Sequence, residues 1–259
     1  MKRAAFAAAL LVSFAPPSFA QLALPRDGWA TWTVEAPAEG APAWCCLQWK
    51  RKPASTVACD LDDRGGSSYG TIGRADRSDT MRIYARLVDG KVDKVRALAP
   101  ACEASTRTPP RDLGSASPAD SARWLASQLP SSGRHILDDM LAALSVHRGS
   151  AHTLIAIATS NENPKVREQA WFWLSQVAAP ETEAAIATAL RKEPDRHVRE
   201  QAIFALSQLP HDRGAKALVS VVEDRSLPRE DRKHAIFWLG QSDSEYATAY
   251  LDRLLNNGR

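Results

Sequence analysis

Apolar and polar positions recur in two rhythms along the 259 residues. From about residue 118 onward the apolar positions fall three and four apart, the period of a helix with one buried stripe. In V-R-E-Q-A-I-F-A-L-S-Q-L (198–209), Val198, Ala202, Leu206 and Leu209 share a stripe, with Arg199 and Ala205 at its borders. The string stands 32 residues earlier as V-R-E-Q-A-W-F-W-L-S-Q-V (166–177) and 33 later as D-R-K-H-A-I-F-W-L-G-Q-S (231–242). A fainter copy, I-L-D-D-M-L-A-A-L-S-V (136–146), lies 30 residues before the first. Self-similarity at this period predicts a solenoid, in which each helix pair buries its apolar face by stacking on neighbours. The pattern predicts a first helix from Pro118 to about Leu129, which Ser117 caps. Helices then follow over 133–147, 151–159, 164–177, 181–192, 195–209, 213–223, 229–240 and 244–256. Pro164, Pro180, Pro194, Pro210 and Pro228 punctuate them at or beside the boundaries, where a missing N–H donor costs little. The last eight helices make four pairs.

Before residue 106 the rhythm is two. Residues 81–88 and 91–98 flank Asp89-Gly90, the strongest short hairpin signal, because both central turn positions want positive φ. Met81, Ile83, Ala85 and Leu87 share one strand face, expected to be core. Arg82, Tyr84, Arg86 and Val88 share the other, expected to be wet. Residues 29–34 and 44–49 also read as strands. Residues 106–118, rich in Thr, Ser, Pro and Arg, read as a linker. The expected organisation is therefore a leader over 1–20, a small β-rich part over 21–112 and an all-α part over 113–259, an α+β chain in two parts.

The repeats carry a second recurring face roughly 110° from the stripe, made of aromatic and amide side chains. Its members are Gln169, Phe172, Trp173 and Gln176 in one repeat, Gln201, Phe204 and Gln208 in the next, and His234, Phe237, Trp238 and Gln241 in the third. Two readings of it stand at this level. Either the face is core, buried against a partner helix and the next repeat, or it is an aromatic and amide column that recognises protein. A proline ahead of V-R-E-x-A-x-x-x-L, followed by a second helix with A-x-x-x-L spacing, resembles the bacterial HEAT-like repeats, including the type named after phycobilisome lyases. The resemblance covers about residues 131–259. It implies a right-handed HEAT-like solenoid with the V-R helices, and so Phe172, Phe204 and Phe237, along the concave side. It implies little about function. A lyase role would require a tetrapyrrole and a cytoplasmic site, which the N-terminus opposes.

That N-terminus has Lys2 and Arg3 before an apolar run over 4–15, and Ser18-Phe19-Ala20 as a cleavage site. This is the form of a secretory signal peptide; Pro16-Pro17 makes the run too short to span a membrane. Losing it lowers the formal net charge from +3 to about +1, which recommends neither nucleic acid nor an anionic membrane as partner. All four cysteines, Cys45, Cys46, Cys59 and Cys102, lie in the β-rich half. In an exported chain an even count reads as two disulfides; the rival, a zinc site built from all four thiolates, lacks paired C-x-x-C knuckles and is opposed by the oxidising compartment to which the leader points. Adjacent Cys45 and Cys46 do not bond each other easily, since successive strand side chains point apart. Each then takes one of Cys59 and Cys102, in an order the spacing does not choose.

No catalytic motif emerges: there is no G-x-S-x-G, no H-E-x-x-H and no phosphate loop. The string R-G-G-S-S-Y-G (64–70) lacks the following Lys-Ser/Thr and helix, and reads as a hairpin tip. The histidines are scattered, His147 and His152 reading as a solvent-facing pair rather than a metal site. Asp195 with Arg199, and Asn163 with Arg167, read as a structural ladder along the turns. The expected function is a non-enzymatic periplasmic or secreted scaffold, without cofactor or metal, that binds another envelope protein such as the outer portion of a membrane regulator. The alternative is an enzyme or enzyme accessory with a site in the β-rich part, near Trp29, Trp44, Trp49 and the 65–70 loop.

Overall fold

The computed structural model describes residues 22–48, 55–63, 68–70, 77–129, 134–177, 179–210 and 212–256. The leader over 1–20, Trp49, most of the glycine-rich string and His211 lie outside the described residues.

The strands are β1 (Gly28–Glu35), β2 (Ala41–Pro42), β3 (Cys45–Gln48), β4 (Ser55–Val57), β5 (Cys59–Asp60), β6 (Ser68–Gly70), β7 (Arg77–Ser78), β8 (Thr80–Val88), β9 (Lys91–Leu98), β10 (Ala104–Ser105) and β11 (Arg111–Ser115). Their centre is a four-stranded sheet of order β11-β1-β8-β9. The β8–β9 hairpin turns at Asp89 and Gly90, with φ of 51° and 75°, the doubly positive turn the dipeptide announces. The linker expectation fails: β11 pairs parallel to β1, Ala30 opposite Arg111, and Arg82 bonds Asp112 at 2.7 Å. The boundary drawn between residues 112 and 113 runs through this strand.

Both faces of the sheet are covered. Ala30, Trp32, Val34, Met81, Ile83 and Ala85 join the helices in the main core. On the other face Trp29, Tyr84 and Leu98 form a smaller core with Cys46, Cys59 and Leu61. The face expected to be wet is so only in part, since the disulfide-bearing strands roof Tyr84 over and leave Val88 exposed. Adjacent cysteines use opposite strand faces, as the pleat requires. Cys45 bonds Cys102 and Cys46 bonds Cys59, which chooses between the pairings left open.

The helices are α1 (Pro118–Gln128), α2 (Arg134–Ser145), α3 (Ser150–Ser160), α4 (Pro164–Val177), α5 (Thr182–Leu190), α6 (Arg196–Ser207), α7 (Asp212–Glu223), α8 (Arg229–Gly240) and α9 (Glu245–Asn256). The α1 helix begins with Pro118 at its first turn, and Ser117 contributes its backbone carbonyl to Ser121 N–H rather than a side-chain cap. The predicted stripes are buried: Val166, Ala170 and Leu174 on α4, and Val198, Ala202, Leu206 and Leu209 along α6 and the turn after it. Helices α2, α4, α6 and α8 pack in succession as one layer; in a second, α3 packs on α5 and α7 on α9, with α5 and α7 joined by the Glu183–Arg213 ion pair. Gly214 lets α7 lie hard against the end of α6, where a Cβ would stand 2.6 Å from the Leu206 carbonyl oxygen.

Sheet and helices share one core. α2 packs on β9, and α1 on β1. Trp32 meets Trp124 edge to face at 5.5 Å and donates its indole N–H to Ser121 Oγ at 2.7 Å. Ser121 Oγ lies 2.7 Å from His147 Nε2, and His147 Nδ1 lies 3.2 Å from the Leu144 carbonyl. All three side chains are buried, so His147 is not the solvent-facing partner of His152 that the sequence suggests; His152 alone is exposed, facing Glu181.

Candidate protein-binding column

The repeats place their aromatic positions side by side because α4, α6 and α8 are successive members of one layer. Phe172 stacks on Phe204 with ring centroids 6.4 Å apart, and Phe204 meets Trp238 at 5.0 Å. Trp173 joins Phe172 at 5.2 Å, and Phe237 joins Trp238 at 5.1 Å. The column passes the alanine of the middle repeat, buried Ala205, through these contacts. It continues beyond the repeats: Trp44, next to the Cys45–Cys102 disulfide, meets Trp173 edge to face at 5.8 Å.

Phe172, Trp173, Phe204, His234 and Trp238 are half-buried, and Phe237 is 54% exposed. Packed on one side and open on the other, they form neither a sealed core nor isolated surface rings. Two tryptophans are also anchored by their N–H groups, Trp173 to Asp138 Oδ1 at 2.9 Å and Trp238 to His234 Nε2 at 3.0 Å. Such anchoring fixes ring orientation while leaving apolar area for a partner.

The amides flank the rings. Gln169 and Gln201 are half-buried, while Gln176, Gln208 and Gln241 are exposed. In two repeats Ser175 and Ser207 donate to the carbonyls of Phe172 and Phe204 and accept from the amides of Gln176 and Gln208, each at 3.0 Å. That device holds each glutamine by its amide nitrogen. Gly240 replaces the serine in the third repeat and removes the device from Gln241. Trp171, beside these positions in sequence, is instead fully buried.

The V-R-E arginines keep the repeats in register. Arg167 forks onto Glu193 at 2.7 and 2.8 Å and also donates to the carbonyl of Asn161. Arg199 donates to Asp231 at 2.6 Å and to the carbonyls of Glu193 and Pro194. Each arginine thus caps the turn before its own helix and is answered by an acid of the next repeat. The ladder is structural, though its rungs differ from those the spacing suggests. Asp195 caps α6 by accepting from His197 N–H and Val198 N–H, and Asn163 accepts from Lys165 N–H. Asp231, an acid at the buried position held by Val166 and Val198, is the sequence signal for this pairing.

Of the residues named for a site in the β-rich part, Trp49 and 65–67 of the 65–70 loop lie outside the described residues. Trp29 is buried and donates to Asp62, while Trp44 turns toward Trp173. The nearby hollow of about 330 Å³ is lined by Asp60, Asp62, Asp63, Arg86 and Arg107. The Arg107 backbone N–H and the Trp29 indole hold the Asp62 carboxyl below its ordinary range, which suits an ionised structural acceptor rather than a general acid. Lys94 fills the adjoining turn with its ammonium, donating to the carbonyls of Leu61 and Asp63. Among the described residues no group of three or more His, Cys, Asp or Glu side chains is placed to hold a metal ion.

Residues 151–230 match the HEAT repeats. The match runs from α3 to the start of α8, and so takes in Arg167, Arg199 and the rings of Phe172, Trp173 and Phe204, while Trp44 precedes it and Asp231, Phe237 and Trp238 follow it. No curated protein matches the chain. No helix among the described residues is long and apolar enough to cross a membrane.

Proposed function

We propose that this protein is a non-enzymatic scaffold of the cell envelope, periplasmic or secreted, that binds a protein partner along the column from Trp44 to Phe237. The continuity of that column across three repeats and into the disulfide-bearing strands carries the reading. Half-exposed Trp and Phe flanked by exposed glutamine amides give rigid apolar area beside groups able to bond a partner's backbone, the composition from which a few anchors supply most of the binding energy. The proposed location rests on the leader-like residues 1–20 and on two disulfides, which persist in an oxidising compartment. A partner such as the outer portion of a membrane regulator fits that compartment.

The test compares capture from periplasmic extract by the mature protein and by Phe237→Ala/Trp238→Ala. The column reading expects the captured protein to fall at least about tenfold, with a melting midpoint within a few degrees of the parent. Equal capture by both would overturn it. A collapse of the melting midpoint would show that the two rings serve as wedges between repeats.

A further inference from the structure

The arginine ladder has a third member that finds no answer. Arg232 stands where Arg167 and Arg199 stand, and its Nε is buried with no acceptor within reach among the described residues. In the two earlier repeats that atom meets a carboxylate supplied one repeat on, Glu193 for Arg167 and Asp231 for Arg199. A second repeat position agrees. Trp171 and Ile203 are fully buried, whereas Ile236, their equivalent on α8, is half-buried. Leu254 and Leu255 on α9 are 44% and 73% exposed.

Arg232, Ile236 and Leu254 line one hollow of about 580 Å³, to which Val222 adds apolar surface. Arg225, Arg229, Arg232 and Lys233 also line it, against the single acid Glu223. Lys233 is paired with Glu230 at 2.8 Å, so the rim keeps a surplus of about two positive charges.

We propose that this end face of α8 and α9 receives an acidic amphipathic helix from a partner protein. Its apolar side covers Ile236 and Leu254, and one of its carboxylates accepts from Arg232 Nε as Glu193 does from Arg167. The charge surplus sets the occupant. A second copy joined about a two-fold axis would bring the same cationic rim against itself, which opposes association. The face is separate from the column, so either proposal stands without the other.

The probe is a fluorescein-labelled helical peptide of about 18 residues, long enough to form a helix, with a leucine stripe flanked by glutamates. A twin carries lysines in place of the glutamates. Fluorescence anisotropy with the full mature chain should show the Glu peptide binding at least about tenfold more tightly than the Lys peptide, with the gap narrowing as salt rises. Arg232→Glu should weaken the Glu peptide by about tenfold and improve the Lys peptide, a reversal that misfolding would not produce. Trp173→Ala, at the far end of the column, should leave both affinities unchanged and so separates this site from the column. Equal binding of the two peptides, or of neither, overturns the proposal. A dimer in sedimentation that Ile236→Gln dissociates overturns it in favour of a second copy.

Discussion

His147 is the residue whose chemistry is set most completely by its surroundings. Burial pushes its pKa down to about 4 from 6.5, and the neutral ring sits between the Ser121 hydroxyl and the Leu144 carbonyl. Because the folded-state pKa is depressed, the unfolded chain binds the proton more readily. The contribution of this site is therefore whole above about pH 6.5 and declines as pH falls toward 4, by on the order of 3 kcal/mol in total. Urea melts at pH 7.5 and pH 4.5 should show that loss, and His147→Gln, which cannot titrate, should flatten the difference. An equally steep pH dependence in the variant would move the responsibility to the carboxylates. Ser121→Ala tests the same chain at its centre: it leaves the Trp32 indole N–H and His147 Nε2 buried without a partner, and should cost about 1 to 3 kcal/mol at neutral pH.

The ladder between repeats makes a sharper claim about elements. Asp231 is buried and Arg199 nearly so, and a buried pair broken on one side leaves an uncompensated charge. Asp231→Val restores the residue type found at 166 and 198, yet it should destabilise the protein by about 3 to 5 kcal/mol. The double variant Arg199→Met/Asp231→Val should recover most of that loss, since two well-packed apolar groups need no partner. If Asp231→Val alone melts like the parent, the acid is not the rung that joins the two repeats. Legibility in the sequence at this scale tracks how local each cause is. The α4 and α8 limits match the pattern residue for residue, because Pro164 and Pro228 mark the starts and the stripe sets the face. Asp89-Gly90 announced its hairpin for the same reason, as a two-residue turn with its own φ demand. β11 stayed hidden because R-D-L-G-S has no alternation, and only pairing with β1 makes it a strand. The disulfide order was equally non-local, decided by which sheet face each of two adjacent cysteines presents. In the column, the rings on α4, α6 and α8 were readable from the repeat, while Trp44 and Asp138 belong to it only through tertiary packing.

At the scale of the whole molecule, a chain with strands in one half and helices in the other behaves as a single unit only where the halves share a core. They share it through α1, α2 and β1, and the contact weakens along the array because each repeat touches its neighbours alone. The disulfides stiffen the end opposite α9. Closing 57 residues of sequence, Cys45–Cys102 should contribute about 4 kcal/mol by chain entropy, against about 3 for Cys46–Cys59, which closes 13. Reduction should therefore act as a graded perturbation. Loss of the small core under Tyr84 loosens the sheet, the loosened sheet loosens α1 and α2, and α8 and α9 respond little. Hydrogen exchange followed by mass spectrometry with and without reductant reads that gradient directly. Exchange should rise strongly over residues 28–48 and 80–98, rise measurably over 118–145, and stay near parent values over 229–256. Uniform acceleration along the whole chain would mean that the array has no stability of its own. Acceleration confined to the strands would mean that the Trp32–Ser121–His147 contact does not transmit strain across the shared core. The same experiment bears on binding, because Trp44 is held beside Cys45 and reaches Trp173 from there. A reduced protein that keeps α4, α6 and α8 intact yet captures its partner less well would show that the column needs its first ring, and that the disulfide layer positions it.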